Sequence, residues 1–164
     1  LIGALAGLAP DLDVLIQSST DPTLFLEYHR QFTHSLFFIP IGSLFVAFVL
    51  FPLFRKSLSI KTIYLASLLG YATHGLLDAC TSYGTQLFWP FSNERVTWNN
   101  ISIVDPLFTI PVLILIVIAI KTKNKIFTFF SIGWIIIYLS LGFIQYERAL
   151  SVAFELAHSR GHNP

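Results

Sequence analysis

Four long apolar stretches, Leu36–Phe54, Thr62–Cys80, Leu107–Ile120 and Ile126–Ile144, restrict this sequence to folds that can dissolve them. Only 12% of the 164 residues are charged and 54% are hydrophobic. A water-soluble domain carries about 25% charge, so this chain has too little polar surface to cover its apolar residues in water. A lipid-crossing helix needs about 20 predominantly apolar residues. The expected fold is therefore all-α: a multi-pass transmembrane helical bundle of about five spans, forming one domain over residues 1–164. Leu1–Ile16 reads as the tail of the first span, and Leu107–Ile120 extends back through Ile101–Val104 if Asp105 is buried. The small residues Gly3-Ala-Leu-Ala-Gly7 suit close helix approach in lipid. In Glu147–His162, the residues Leu150, Ala153, Phe154 and Ala157 share a helical face, which predicts a C-terminal helix lying on the membrane surface. The chain contains no methionine and opens on an apolar run, so a preceding segment is expected to be missing, and the C-terminus is expected to be incomplete as well.

Charge type is distributed unevenly between the connectors. Arg55, Lys56, Lys61, Lys121, Lys123 and Lys125, which include every lysine, sit in the short connectors after Leu36–Phe54 and Leu107–Ile120. Those connectors should face the cytoplasm. Segments 17–35, 81–106 and 145–164 then lie outside, with Asp11, Asp13, His29, His34, His74, Asp78 and Asp105 collected at that face. The net charge of +1 and the lack of a basic stripe give no reason to expect a nucleic-acid partner. The single cysteine, Cys80, allows no internal disulfide.

Three constellations carry possible chemistry. Pro10-Asp11-Leu12-Asp13 is either a helix-terminal turn in water or a pair of oxygen ligands able to bridge two ions. His29-Arg30-Gln31-Phe32-Thr33-His34-Ser35 offers two imidazoles for Zn, Mn or Fe and a guanidinium fork for an anion; Thr33 or Ser35 also suits the cap of the next helix. His74 and Asp78 lie at i and i+4 on one helical face, either bonding two helices together or ligating a metal. The aromatic stretch 79–106 suits the membrane interface or a lid over an acyl chain. Asp105 before Pro106 fits a helix cap and a ligand equally.

The order Pro-Asp-x-Asp, His-Arg-x-Phe-Thr-His-Ser, His-x-Leu-Leu-Asp and Leu-Phe-Trp-Pro-Phe-Ser-Asn-Glu-Arg resembles the bacterial membrane-bound metal-dependent hydrolases of the YbcI and YdjM type, over roughly residues 1–110. That resemblance implies Asp11, Asp13, His29, His34, His74 and Asp78 as metal-site residues, with Arg30, Glu94 and Arg95 accessory. It also implies the bacterial inner membrane as the location. Two departures stand out. Members carry a Thr-His pair ahead of the first small-residue helix, before the point where this chain begins, and Gln31 replaces their glycine after His-Arg.

The expected function is a hydrolase with a metal-activated water, holding Zn above all, or Mn or Fe. Asp11 or Asp78 would accept the proton, Arg30 and with it Arg95 would neutralise a developing anion, and Arg30, Glu94 and Arg95 would bind the substrate. The substrate would be a membrane lipid or another amphiphile, a phosphoester among them, met at the external interface. Two rivals are an ion- or proton-coupled transporter and a membrane protein that uses a metal only as a staple.

Overall fold

The structure is a computed structural model that describes residues 1–162, in two compact units, Leu1–Thr97 and the part from Trp98 onward. Apart from one isolated pairing of Thr85 with Val96, the regular structure of the described residues is helical.

In the first unit the helices are α1 (Ile2–Gly7), α2 (Leu24–Tyr28), α3 (Ile39–Phe54) and α4 (Ile60–Ala79), with 3-10 helices at Pro10–Leu15 and Phe32–His34. α3 starts later than the apolar run that contains it. Pro40 occupies its first turn, and Ser35 shapes the turn before it, accepting from the Phe38 N–H at 3.2 Å. Thr33 therefore does not cap this helix, and Ser35 acts one turn ahead of its start. α4 is capped by Ser59, whose hydroxyl accepts from the Thr62 N–H at 3.2 Å.

α1 and α3 both pack on α4. Lipid tails are as apolar as leucine, so helix association in a membrane depends on close packing of small residues. That packing is present here: Ala6, Gly42, Ser43, Ala47, Ser67 and Gly75 are buried. A side chain at Gly3 or Gly7 would stand 3.2 Å from a backbone carbonyl oxygen of α4, at Ala66 and Gly70 respectively. Ile2, Ala47, Leu50 and Ile63 form the apolar core where the three helices meet. Gly70 is the tightest point, because a Cβ there would run into the Gly3 backbone. Gly70→Val should loosen α1 and lower stability by about 1–3 kcal/mol or more; thermal unfolding in detergent, compared with Gly133→Val where the space is open, measures it.

The large apolar side chains of α3 point outward: Leu44, Phe45, Phe48 and Leu53 are between 59% and 74% exposed. After α4, Gln86 N–H donates to the Arg30 carbonyl at 3.0 Å and Leu36 N–H to the Leu87 carbonyl at 2.9 Å. The aromatic connector is thereby tied by its backbone to segment 30–36.

In the second unit α5 (Pro106–Thr122) and α6 (Ile126–Ser159) form a hairpin. Lys123 takes the left-handed conformation at the turn, φ 54°, and Asn124 accepts from the Ile126 N–H at 3.0 Å. α5 begins at Pro106 because Asp105 accepts from the Phe108 N–H at 3.1 Å. Ile101–Val104 stay outside the helix, contrary to the extension predicted for them. α6 runs unbroken for 34 residues, so the expected separate C-terminal surface helix is the last part of α6.

Among the described helices α6 is long and apolar enough to cross a membrane by itself. A second crossing results if segment Leu24–His34 and α3, bent by 86°, act as one broken span. The helical class is as predicted, while the helices by length and composition account for one or two of the about five expected spans, the first of which was expected only as a tail. α1 ends at Gly7, ahead of the 3-10 helix that Pro10 starts, while α3 and α5 have 16 and 17 residues. Proline and Asp-Pro boundaries trim the apolar runs at their starts.

Candidate metal centre

Two short 3-10 helices and the end of α4 bring polar side chains from distant parts of the first unit to one place. The last turns of α4 carry His74 and Asp78 on the same face, one turn apart. Gly75 between them admits the backbone of the 32–34 segment; a Cβ at Gly75 would lie 2.7 Å from the His34 carbonyl oxygen. The 3-10 helix Pro10–Leu15 supplies Asp11.

Four atoms converge. His34 Nε2 stands 3.6 Å from Asp11 Oδ1 and 3.2 Å from Asp78 Oδ2, and His74 Nε2 stands 3.2 Å and 3.3 Å from the same two oxygens. All four lie within 4.8 Å of one another. Donors bound at about 2.0–2.1 Å to a tetrahedral zinc ion stand about 3.3–3.4 Å apart, so these spacings suit one small cation. His34 Nε2 and Asp78 Oδ2 are buried and have no hydrogen-bond partner. Orphaned buried polar atoms are costly, and an ion would satisfy both.

Charge points the same way. The carboxylates of Asp11, Asp13 and Asp78 face one guanidinium, that of Arg30, which leaves two negative charges to be balanced by protons on imidazoles or by a divalent ion. Burial opposes a charge on His34, but the carboxylates of Asp11, Asp13 and Asp78 prevail and push it up to about 10. The imidazoles of His34 and His74 beside it hold the Asp11 carboxyl well below the usual carboxylate range.

Asp13 faces differently from Asp11. Its Oδ1 is 2.8 Å from His29 Nδ1, and its Oδ2 accepts from the Arg30 N–H at 3.0 Å and the Thr33 hydroxyl at 2.9 Å. Burial raises its pKa, while His34, His29, the Arg30 N–H and the Thr33 hydroxyl outweigh that and hold it at about 2. Thr33 has one hydroxyl proton, given to Asp13, so at the 2.9 Å contact with His34 it accepts from Nδ1–H. That relay orients the ring so that Nε2 faces the other donors, the arrangement by which carboxylates set metal-binding histidines. Thr33, read from sequence only as a cap, is thus part of the site; its place directly before His34 is the signal that was available. Asp13 and His29 also form, with Asp11, a second group close enough to share an ion.

Arg30 is buried and has φ 59°, so the left-handed residue of its motif is the arginine itself, while Gln31 has φ −96° and needs no glycine. Its guanidinium reaches Asp78 Oδ1 at 3.1 Å and donates to the Thr81 hydroxyl at 3.0 Å, fixing the carboxylate so that Oδ2 is left for the cluster. Arg30 and Arg95 both stand over the Tyr83 ring, at 5.2 and 5.0 Å. Arg95 donates to the carbonyls of Leu26 and His29, at 3.2 and 2.9 Å, and so secures the end of α2. Glu94 is exposed, with its N–H on the Ser92 hydroxyl at 3.1 Å. Asp105 belongs to the second unit, where it caps α5 and accepts from the Tyr138 hydroxyl with both oxygens, at 3.0 and 2.9 Å.

The chain is 29% identical over 160 residues to "Uncharacterized protein YfhP" of Bacillus subtilis (strain 168), covering 96% of this chain and 48% of that protein. It thus spans about half the length of that relative. No solved structure matches it. The YdjM inner membrane protein family matches residues 1–149, a range that holds every side chain of the cluster, and the chain belongs to that family.

Proposed function

We propose that this chain is a multi-pass inner-membrane hydrolase with a mononuclear divalent metal centre at the periplasmic face, acting on an amphiphilic ester or phosphoester. The observation that carries the reading is the convergence of Asp11, His34, His74 and Asp78, two of whose donor atoms are buried without a partner. Their spacing and their two-nitrogen, two-oxygen chemistry favour zinc, with manganese or iron as weaker fits. A divalent ion held there supplies Lewis acidity and lowers the pKa of bound water from 15.7 toward about 7.

The protein groups divide the remaining work. The Asp11 side chain is 46% exposed, against 0%, 19% and 13% for His34, His74 and Asp78, which suits it to take a proton on the open side. Arg30 holds Asp78 in place and lies close enough to neutralise charge developing on a bound ester. The orientation rests on the basic turns. Lys61 opens α4 and Asp78 closes it, about 25 Å apart along the helix. If Arg55–Lys61 and Lys121–Lys125 face the cytoplasm, the cluster faces the other side.

Purified protein should hold about one zinc ion per chain by elemental analysis. Hydrolysis of p-nitrophenyl phosphodiester and long-chain ester probes should vanish on chelation and return on adding zinc. Activity that persists in metal-free protein would overturn the proposal. Tight zinc binding without turnover of either probe would favour the staple reading instead.

A further inference from the structure

We propose that Asp11, Asp13 and His29 form a second, weaker site for a divalent cation beside the first, and that filling it switches hydrolysis off by engaging Asp11. The ion site stands on the geometry of these three residues; its effect on turnover rests on the hydrolase reading given above. Asp11 and Asp13 come from the first 3-10 helix, and His29 is the residue that ends α2. One donor atom from each lies within 4.8 Å of the other two. Two oxygens and one nitrogen make a three-ligand set that zinc accepts, with water in the remaining position.

Asp11 is common to both groups of donors. A carboxylate offers about four lone-pair positions on its two oxygens, so one side chain can serve two ions. The side chains of Asp11 and His29 are 46% and 18% exposed, which gives the second site an open side. Asp13 reaches it from below without giving up its other duty. Its Oδ2 keeps the Arg30 N–H and the Thr33 hydroxyl, the contact that orients His34, while Oδ1 is the oxygen that meets His29.

Two features make this site the weaker one. His29 Nδ1 stands 2.8 Å from Asp13 Oδ1, closer than the about 3.3–3.4 Å that separates two donors on a tetrahedral zinc ion. A second ion must therefore break that hydrogen bond, and a bond to a charged group is worth about ten-fold or more in an equilibrium constant. One zinc ion and Arg30 together also balance the carboxylates of Asp11, Asp13 and Asp78, so a further ion adds net positive charge. The first site fills first, and the centre stays mononuclear until zinc is in excess. Asp11 then has cations on both sides. Nearby positive charge holds a carboxylate in its ionised form, so the residue suited to take a proton no longer takes one.

The test is equilibrium dialysis of the full chain in detergent against buffered free zinc, with zinc per chain and hydrolysis of the p-nitrophenyl phosphodiester measured on the same samples. Zinc content should rise in two steps, the second at a free zinc concentration about ten-fold or more above the first. Hydrolysis should appear with the first step and fall by about 100-fold or more over the second, the share that a general base supplies. His29→Gln keeps a donor for Asp13 and removes the imidazole; it should lose the second step and the inhibition while the first step remains. His158→Ala, an exposed histidine on α6, should leave both steps in place. A single step in the parent protein, or a second step that survives His29→Gln or disappears with His158→Ala, overturns the site. Hydrolysis that rises across the second step overturns the inhibitory role. Two steps that respond to His29→Gln in protein that turns over neither ester probe support the second ion and remove the hydrolase reading.

Discussion

His34→Ala should abolish stoichiometric zinc binding, and hydrolysis with it. His34 is the most deeply buried of the four converging residues, 1% exposed, and its Nε2 stands within 3.6 Å of two of the three other donor atoms. Alanine removes that donor and leaves a space no neighbouring side chain fills with an equivalent nitrogen. Removing an outer carboxylate that only orients a ligand costs about 10–100-fold in metal affinity. Loss of the ligand itself must cost more. Asp13→Asn supplies the comparison. It keeps the shape of the side chain but weakens the hold on His29, Thr33 and His34, and should lower zinc affinity by about 10–100-fold. Competition titration with a chromophoric chelator ranks the two. If Asp13→Asn loses more affinity than His34→Ala, the roles assigned to these residues are reversed.

The second large effect concerns stability. Arg30→Met should destabilise the first unit by about 3–5 kcal/mol, because it leaves a buried carboxylate without its partner. Asp78 is 13% exposed at its side chain and Arg30 11%, so water does little to replace the lost interaction. The Thr81 hydroxyl loses its donor at the same time. Methionine keeps much of the length and apolar stem of arginine, which separates the loss of charge from the loss of volume. Chemical unfolding of zinc-loaded and zinc-free protein measures the effect. The zinc-free form should suffer more, since only protons on His34 and His74 are then left to offset the carboxylates. A variant as stable as the parent in both states would show that the Arg30–Asp78 contact adds nothing net.

How far this could be read from the residue order varies from one element to another. His74 and Asp78 were legible together because they share a continuous helix, where a spacing of four guarantees a common face. Asp11 and Asp13 were legible as a pair but not in their different duties. They sit on a 3-10 helix with 3.0 residues per turn, so residues two apart point about 120° away from each other. One therefore reaches the open cluster while the other turns into the 29–34 segment. The sequence presents Arg30 as a fork for a phosphate or carboxylate, and two of its nitrogens are occupied by Asp78 and Thr81. The helix starts differ from the apolar runs at Asp105-Pro106 and Pro40, where backbone chemistry begins a helix later than its apolar letters suggest.

Composition and local pattern are short-range properties, and they were enough for a helical, membrane-type chain with His and Asp side chains that could hold a metal ion. The meeting of four donor atoms is a long-range property. It joins positions 11, 34, 74 and 78, and depends on backbones brought into contact at Gly70 and Gly75, where even one added methyl group would collide. Ligand spacing tolerates errors of only about 0.2 Å, a precision that packed helices can impose and a linear spacing of letters cannot.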